Sequence, residues 1–159
     1  MSEVKTNVLR ILDKAKIAYT YTTYETEDGK IDGVSVANKV GKAKEEVFKT
    51  LLVRGKTGTC YVCVIPVYLE LDLKKVSKVC EEKKIEMLPV GELLGTTGYI
   101  RGGCSPIGMK KLFKTYIHES AKNLESITIS AGKIGVQVTL VPEKLNALVK
   151  ARYADLVEV

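Results

Sequence analysis

The sequence has 159 residues, of which 45% are hydrophobic and 28% are charged, and its formal net charge is +6. This profile is typical of a globular domain with a sizeable core, and it excludes disordered and fibrous proteins. No apolar run has the length of a membrane span, and the amphipathic N-terminus lacks the apolar stretch of a signal peptide, so we expect a cytoplasmic protein without membrane contact.

The first quarter of the chain has alternating helix and strand signals. Apolar residues at helical spacing predict a helix over residues 3–16, and alternating Thr and Tyr predict a strand over residues 17–25. Ser35 is predicted to cap a short helix that runs to Val40, and a further helical turn is expected over residues 42–46.

Two apolar runs in the next segment predict a pair of strands. They cover residues 47–53 and 59–67, and the polar, glycine-containing link between them suits a hairpin. Asp72 is predicted to cap a helix that reaches about Lys83, and residues 85–88 are predicted to form a short strand.

The last part of the chain is predicted to be rich in strands. Residues 89–98 are turn-rich and have one helical turn, and Pro142 suits the first position of a final helix. Between them, strands are predicted over residues 99–101, 115–118, 126–130 and 136–141.

Mixed helices and strands with short connections predict the fold class. We expect an α/β or α+β protein that forms a single domain over residues 1–159. Its mixed β-sheet is predicted to curl towards a barrel, with helices on its flanks.

Four cysteines raise the question of a metal or redox site. Cys60 and Cys63 form a C-x-x-C pair within a predicted strand, where residues i and i+3 point to opposite faces. Two core thiols are therefore favoured over a structural zinc site or a thiol redox pair, and we expect no bound metal or cofactor.

Lys49 shares one face of its predicted strand with Val47, Leu51 and Val53. An unpaired ammonium on an apolar face is costly to bury, so Lys49 needs a partner, a strand edge or a cavity. It either extends to solvent at the start of the strand or projects into a ligand pocket.

The segment YIRGGCSPIGMKK contains several residues with special backbone properties. Gly102 and Gly103 allow close approach of the backbone, and Pro106 restrains Ser105 to an extended conformation. Free N–H groups in such a loop can stabilise an oxyanion or a phosphate, although a plain tight turn would use the same residues. The segment matches neither a Walker A motif nor a dinucleotide-binding motif.

A histidine-based catalytic triad is not expected. His118 is the single histidine, and the sequence contains no nucleophile-elbow motif around a serine. Cys104 lies within the glycine loop and is an alternative nucleophile, but the sequence gives no evidence of activation by a histidine.

Several short motifs, in this order, resemble the YbaK family of free-standing aminoacyl-tRNA deacylases, which are related to the editing domain of bacterial prolyl-tRNA synthetase. The resemblance covers nearly the whole chain. The motifs are FKTLLV with Lys49, LDLKKV at 71–76, TTGY at 96–99, GGCSPIGMKK at 102–111 and SAGKIG at 130–135.

This resemblance implies a trans-editing function, the hydrolysis of a wrongly attached amino acid from tRNA, above all of cysteine from proline tRNA. Cysteine and alanine remain alternative substrates. The implied partners are aminoacyl-tRNA and prolyl-tRNA synthetase, and the thiol of a cysteinyl substrate is implied to attack its own ester. A non-catalytic module that binds tRNA or a synthetase is the alternative from another functional class.

The resemblance also implies the site residues. Lys49 is the key functional residue, and the implied substrate-binding residues are Tyr24, Ile31, Thr50, Gly102, Gly103, Cys104, Ser105, Pro106, Ser130, Gly132 and Gln137. Gln137 stands where the family often carries Asp, and Ile31 where it often carries an aromatic residue, so both bear on specificity. Six lysines are candidates for contacts with the tRNA backbone, namely Lys74, Lys75, Lys78, Lys110, Lys111 and Lys114.

Overall fold

The computed structural model describes residues 5–158 of the chain. The α-helices are α1 Asn7–Lys14, α2 Gly33–Lys39, α3 Leu73–Val79, α4 Val90–Thr97 and α5 Pro142–Leu148, and a 3₁₀ helix covers Glu119–Asn123. The strands are β1 Thr20–Thr23, β2 Phe48–Gly55, β3 Cys60–Pro66, β4 Ile85–Met87, β5 Lys114–His118, β6 Ile127–Lys133, β7 Val136–Leu140 and β8 Arg152–Ala154. Within residues 5–158, every helix is too short or too polar to cross a lipid bilayer.

The strands form two sheets. One has five strands in the order β4-β2-β3-β5-β8, and the other has three in the order β1-β7-β6. The sheets meet where Val47 bridges Thr128, whose N–H donates to the carbonyl oxygen of Glu46 at 2.9 Å. The predicted mixed α+β fold is confirmed, with the difference that the strands form two open sheets and no closed barrel.

Two apolar clusters cover opposite faces of the five-stranded sheet. Phe48 and Leu52 of β2 contribute to the first cluster, which also contains residues of α1, β6 and β7. Val53 contributes to the second cluster, together with Val76 of α3. Side chains along β2 therefore alternate between the two faces of the sheet, as the apolar pattern predicts.

Helix caps account for the bounds of α2 and α3. Asp72 accepts hydrogen bonds from the backbone N–H groups of Lys74 and Lys75, so the predicted cap of α3 is confirmed. The prediction that Ser35 caps α2 is wrong, because the cap is Asp32 and its carboxylate accepts from Ser35 N–H at 3.1 Å. A carboxylate three residues upstream therefore starts the helix earlier.

The predicted strand over residues 99–101 is wrong. Gly98 and Gly102, at either end of it, have φ angles of 88° and 90°, and Gly103 N–H donates to Ile100 O at 3.0 Å to close a turn. The chain reverses there, so these residues pair with no strand among those described.

Several further predictions differ in extent, and α3 ends at Val79 although its helix is predicted to reach about Lys83. The first two residues of the predicted helix 3–16 lie outside the described residues, and α1 begins at Asn7 after a cap by Thr6. The first strand, predicted over residues 17–25, covers only Thr20–Thr23. The single helical turn predicted within residues 89–98 is the eight-residue helix α4. Strand β8 and the 3₁₀ helix are absent from the prediction, because each is too short for its apolar residues to show a period.

Candidate active site

A cleft of about 1080 Å³ opens between β2, α2, α4 and the loop after α4. Most of the predicted site residues line this cleft, namely Tyr24, Ile31, Lys49, Thr50, Gly102, Cys104, Ser130 and Gln137. Four others, Gly103, Ser105, Pro106 and Gly132, do not line it. The structure thus brings together residues that lie more than 110 positions apart in the sequence.

Lys49 reaches the cleft from β2. Its ammonium Nζ lies 3.8 Å from Oε1 of Glu70, and its side chain retains 28% of its exposure. The cation therefore lies at the cleft wall, partly withdrawn from water, and is neither deeply buried nor extended into bulk solvent. In this position it can donate to a carbonyl oxygen or a phosphate that enters the cleft.

Two hydroxyl groups in the cleft have no hydrogen-bond partner. Tyr24 Oη and Thr50 Oγ1 are buried, and no described residue pairs with either of them. A buried hydroxyl without a partner is unfavourable by about 1–3 kcal/mol. Both residues line the cleft, but their hydroxyl oxygens are buried, so a polar ligand can become their partner only if the neighbouring side chains move.

Lys39 holds the segment that positions Tyr24. Its ammonium donates to the carbonyl oxygens of Glu25 and Lys30, at 2.7 and 2.9 Å, and to a carboxylate oxygen of Asp28 at 2.8 Å. The same ammonium lies 6.0 Å from the centre of the Tyr24 ring. No pattern in the sequence would have indicated that Lys39, at the end of the short helix α2, holds this segment.

The two adjacent glycines allow the loop to pack against the turn between β6 and β7. A Cβ on Gly102, whose φ is 90°, would lie 3.2 Å from Ile31 Cδ1, and a Cβ on Gly103 would lie 3.1 Å from the backbone nitrogen of Ile134. The side chain of Ile31 also lines the cleft. The glycines are therefore required for the close packing of the loop against Ile31 and Ile134, whether or not a ligand also requires them.

The loop offers backbone donors to the cleft. Gly103 N–H is occupied by Ile100 O, whereas no described residue accepts a hydrogen bond from the N–H of Gly102 or Cys104. Both Gly102 and Cys104 line the cleft. Free backbone N–H groups in such a place can bind a carbonyl oxygen and the oxyanion formed from it.

The thiol of Cys104 is buried, with 8% of the residue exposed. Burial raises the pKa of Cys104 to about 12, so the thiol is protonated at neutral pH. Only the thiolate is a good nucleophile, and this environment therefore disfavours Cys104 as the attacking group.

The predicted site residues outside the cleft shape the loop. Ser105 is fully buried and its hydroxyl accepts from the N–H of Ile107 at 3.2 Å, while Pro106 lines a separate small cavity of about 140 Å³. Gly132 has a φ of 90°, and a Cβ there would lie 2.9 Å from a methyl carbon of Val8 and 3.1 Å from the ring of Tyr99.

Ser130 and Gln137 form the opposite wall. They face each other in the register of β6 and β7, and the hydroxyl of Ser130 accepts from Gly132 N–H at 3.2 Å. The side-chain amide of Gln137 forms no hydrogen bond with the described residues, although 94% of this residue is withdrawn from solvent. This wall of the cleft is therefore polar and carries no charge.

Glu70 and Arg101 also line the cleft and are absent from the predicted set. Glu70 lies in the connection between β3 and α3. The pairing of Lys49 with Ile65 in the register of β2 and β3 brings this connection beside Lys49. A prediction of that register from the sequence could therefore have found Glu70.

The remaining chemically reactive side chains lie outside the cleft. Cys60 packs against the first apolar cluster and Cys63 lies in the second, so their thiols point to opposite faces of β3 as predicted. In residues 5–158, no group of three His, Cys, Asp or Glu side chains is placed to hold a metal ion. His118 is buried, and its Nδ1 accepts from Leu156 N–H at 3.3 Å.

The predicted lysines for tRNA contact differ in their environments. Lys75 donates to Asp155 and to the carbonyl oxygen of Val157, both at 2.8 Å, and therefore fastens the C-terminal segment. Lys110 donates to Gly95 O, and Lys111 stacks on an aromatic ring. Three lysines form no ion pair with any described residue, namely Lys74, Lys78 and Lys114.

Comparisons with known proteins identify the relatives of this chain. The model of the aminoacyl-tRNA editing domain family matches residues 32–148. A protein from Enterococcus faecalis (strain ATCC 700802 / V583), provisionally named Cys-tRNA(Pro)/Cys-tRNA(Cys) deacylase EbsC, is 43% identical over 155 residues, which cover 98% of this chain and 94% of the relative.

Solved structures share the fold at lower sequence identity. A crystal structure provisionally described as a trans-editing enzyme for prolyl-tRNA synthetase aligns with a TM-score of 0.83 and 20% identity, over 98% of this chain and all of the other. The hypothetical protein APE2540 aligns with a TM-score of 0.86 and 18% identity, over 95% and 99% of the two chains. The predicted resemblance is confirmed, and the chain belongs to the aminoacyl-tRNA editing domain family.

Proposed function

We propose that this protein is a trans-editing deacylase that cleaves the ester of Cys-tRNA(Pro). Family membership supports the reaction, and the provisional name of the Enterococcus faecalis relative supports cysteine as the attached amino acid. One structural observation carries the proposal: a single cleft is lined by Lys49, by Tyr24 and Thr50, whose hydroxyls have no partner among the described residues, and by Gly102 and Cys104, whose N–H groups are free.

An aminoacyl ester is already activated, so orientation and charge stabilisation can supply much of the rate enhancement. Lys49 would hold the ester carbonyl oxygen or the adjacent phosphate. The N–H groups of Gly102 and Cys104 would stabilise the oxyanion that develops on the carbonyl oxygen, and the two hydroxyls would donate to the ribose or the aminoacyl group.

The attacking group in this proposal belongs to the substrate, or is water. The thiolate of the cysteinyl group attacks its own carbonyl carbon, the bond from that carbon to the ribose oxygen breaks, and the ribose oxygen leaves and takes up a proton. Water then opens the resulting thiolactone to free cysteine. This route is consistent with the buried and protonated thiol of Cys104, and with a His118 that does not line the cleft.

The size of the cleft suits a substrate larger than an amino acid. Ligand cavities commonly measure about 300–1,000 Å³, and this cleft of about 1080 Å³ slightly exceeds that range. It has room for the aminoacyl group and the terminal adenosine of tRNA. The exposed Lys74 and Lys78 would contact the tRNA backbone, and prolyl-tRNA synthetase would supply selection of proline tRNA.

A three-substrate deacylation assay tests the proposal. Cys-tRNA(Pro), Ala-tRNA(Pro) and Pro-tRNA(Pro) are incubated with the wild type, with Lys49→Ala and with Lys14→Ala, which removes an exposed lysine on α1. We expect release of cysteine by the wild type, and a decrease of about 100-fold or more in Lys49→Ala, as for the loss of an oxyanion donor.

Each other outcome has a definite meaning. Full activity of Lys49→Ala would exclude the assigned role of Lys49, and an equal loss in Lys14→Ala would point to a general charge effect. Faster release of alanine would make the protein an Ala-tRNA(Pro) deacylase. If the wild type releases no amino acid, the non-catalytic module becomes the better description.

A further inference from the structure

Glu70 is placed to contact the substrate beside Lys49. Its carboxylate lines the cleft, and its Oε1 lies 3.8 Å from the ammonium of Lys49. The side chain retains 77% of its exposure, and its carboxylate accepts no hydrogen bond from any described residue. An exposed ion pair of this length contributes little to stability, so the fold does not explain why a carboxylate lies there.

The other carboxylate in the cleft is occupied. Asp32 caps α2, and its two oxygens accept from the backbone N–H and the hydroxyl of Ser35, at 3.1 and 2.6 Å. Among the described residues that line the cleft, Glu70 therefore supplies the only carboxylate without a hydrogen-bond donor. The opposite wall offers Gln137, which is neutral.

An aminoacyl ester presents a polar pair that matches Lys49 and Glu70. Its carbonyl oxygen accepts hydrogen bonds, its α-ammonium donates them, and standard bond lengths place the two atoms about 3 Å apart. Lys49 and Glu70 present the complementary donor and acceptor, separated by 3.8 Å. A bound ester can therefore meet both partners from one side.

We propose that Glu70 binds the α-ammonium of the aminoacyl group and makes this protein selective for esters that carry a free α-amine. The inference rests on the proposed deacylase function and adds a residue that recognises the substrate. Peptidyl esters and other acyl esters without this positive charge would offer the carboxylate of Glu70 no ammonium to bind beside the reacting ester.

The test compares substrates that differ only in the amine. Cys-tRNA(Pro) is compared with 3-mercaptopropionyl-tRNA(Pro), which retains the thiol and lacks the amine. Alanyl- and propionyl-tRNA(Pro) form the second pair. The value of kcat/KM for each is measured with the wild type, with Glu70→Gln and with Glu45→Gln, which removes an exposed carboxylate outside the cleft.

We expect the wild type and Glu45→Gln to prefer the amine-bearing substrate about 10- to 100-fold more strongly than Glu70→Gln does, the range for a hydrogen bond to a charged group. In Glu70→Gln the preference should decrease to the ratio of the non-enzymatic hydrolysis rates of the two esters, because Gln retains the shape and loses the charge while the α-ammonium still activates the ester. Thermal melting of Glu70→Gln should match that of the wild type, since the side chain is largely exposed.

Two results would overturn the inference while leaving the deacylase proposal intact. In the first, Glu70→Gln retains the wild-type value of kcat/KM with every substrate. In the second, the rates with both members of a pair change equally, which would make Glu70 only a counter-ion of Lys49. If the wild type deacylates none of the four substrates, the proposed function and this inference fail together.

Discussion

The hydroxyl of Tyr99 donates a hydrogen bond to the carbonyl oxygen of Ile107, and these two residues flank the glycine-rich loop. The ring of Tyr99 also lies next to Gly132, where a Cβ would approach it to 3.1 Å. One tyrosine outside the cleft therefore holds both the loop with the free N–H groups and the bulge of β6. Burial raises the pKa of Tyr99 to about 12, so its hydroxyl remains a donor over the neutral range.

Replacement of Tyr99 by Phe should loosen the loop. The carbonyl oxygen of Ile107 would lose its donor, which should lower the free energy of unfolding by about 1–2 kcal/mol. Urea denaturation measures this change. Tyr21→Phe is the control, because Tyr21 is exposed and its hydroxyl forms no hydrogen bond with a described residue. Equal midpoints for the two variants would contradict a structural role of the Tyr99 hydroxyl.

Gly132→Ala tests the packing of β6 against α1. The φ of 90° is unfavourable for Ala by about 1–2 kcal/mol. A Cβ lying 2.9 Å from Val8 should add about 1–3 kcal/mol. Gly58→Ala separates the two effects, because Gly58 has a φ of 88° and open space around its Cβ position. Urea denaturation should show the larger loss for Gly132→Ala, and equal losses would mean that the contact is readily relieved.

His118 should make stability depend on pH. Burial lowers the pKa of His118 below its ordinary value of 6.5, although the nearby Asp155 carboxylate opposes this effect. The unfolded chain therefore binds more protons than the folded protein below about pH 6.5, and the free energy of unfolding should decrease as the pH falls through that value.

The variant His118→Asn identifies this effect. Its side-chain oxygen can accept from Leu156 N–H as Nδ1 does, but it does not titrate. Urea denaturation between pH 7.5 and 5.5 should show a smaller slope of stability against pH for the variant. His118 is the single histidine of the chain, so an unchanged slope would rule out its protonation as the cause.

The thiols should differ in their reaction with iodoacetamide. Cys63 and Cys104 are buried, and burial raises the pKa of both, whereas Cys60 is partly exposed. In the folded protein at pH 8, Cys60 should be alkylated well before the other two, as mapped by mass spectrometry of peptides. Rapid alkylation of Cys104 would contradict its burial and restore it as a candidate nucleophile.

Local sequence patterns were sufficient where neighbouring residues set the outcome. Asp72 caps α3 because its side chain bonds to N–H groups two and three residues later. The period of two along β2 places Lys49 on the face opposite Phe48, and the order of several short motifs along the chain indicates the family. These features depend on spacing along the chain, which any reader of the sequence can count.

Contacts between distant segments decided the rest. The sequence determined the family, the strand pattern around Lys49 and the presence of a glycine loop. Only the tertiary structure showed that the glycines of this loop accommodate Ile31 and Ile134, that Lys39 holds the segment of Tyr24, and that Glu70 lies beside Lys49. The physical reason is that close approach, burial and charge pairing depend on distances in space, and strand register and turns set those distances between residues that are remote in sequence.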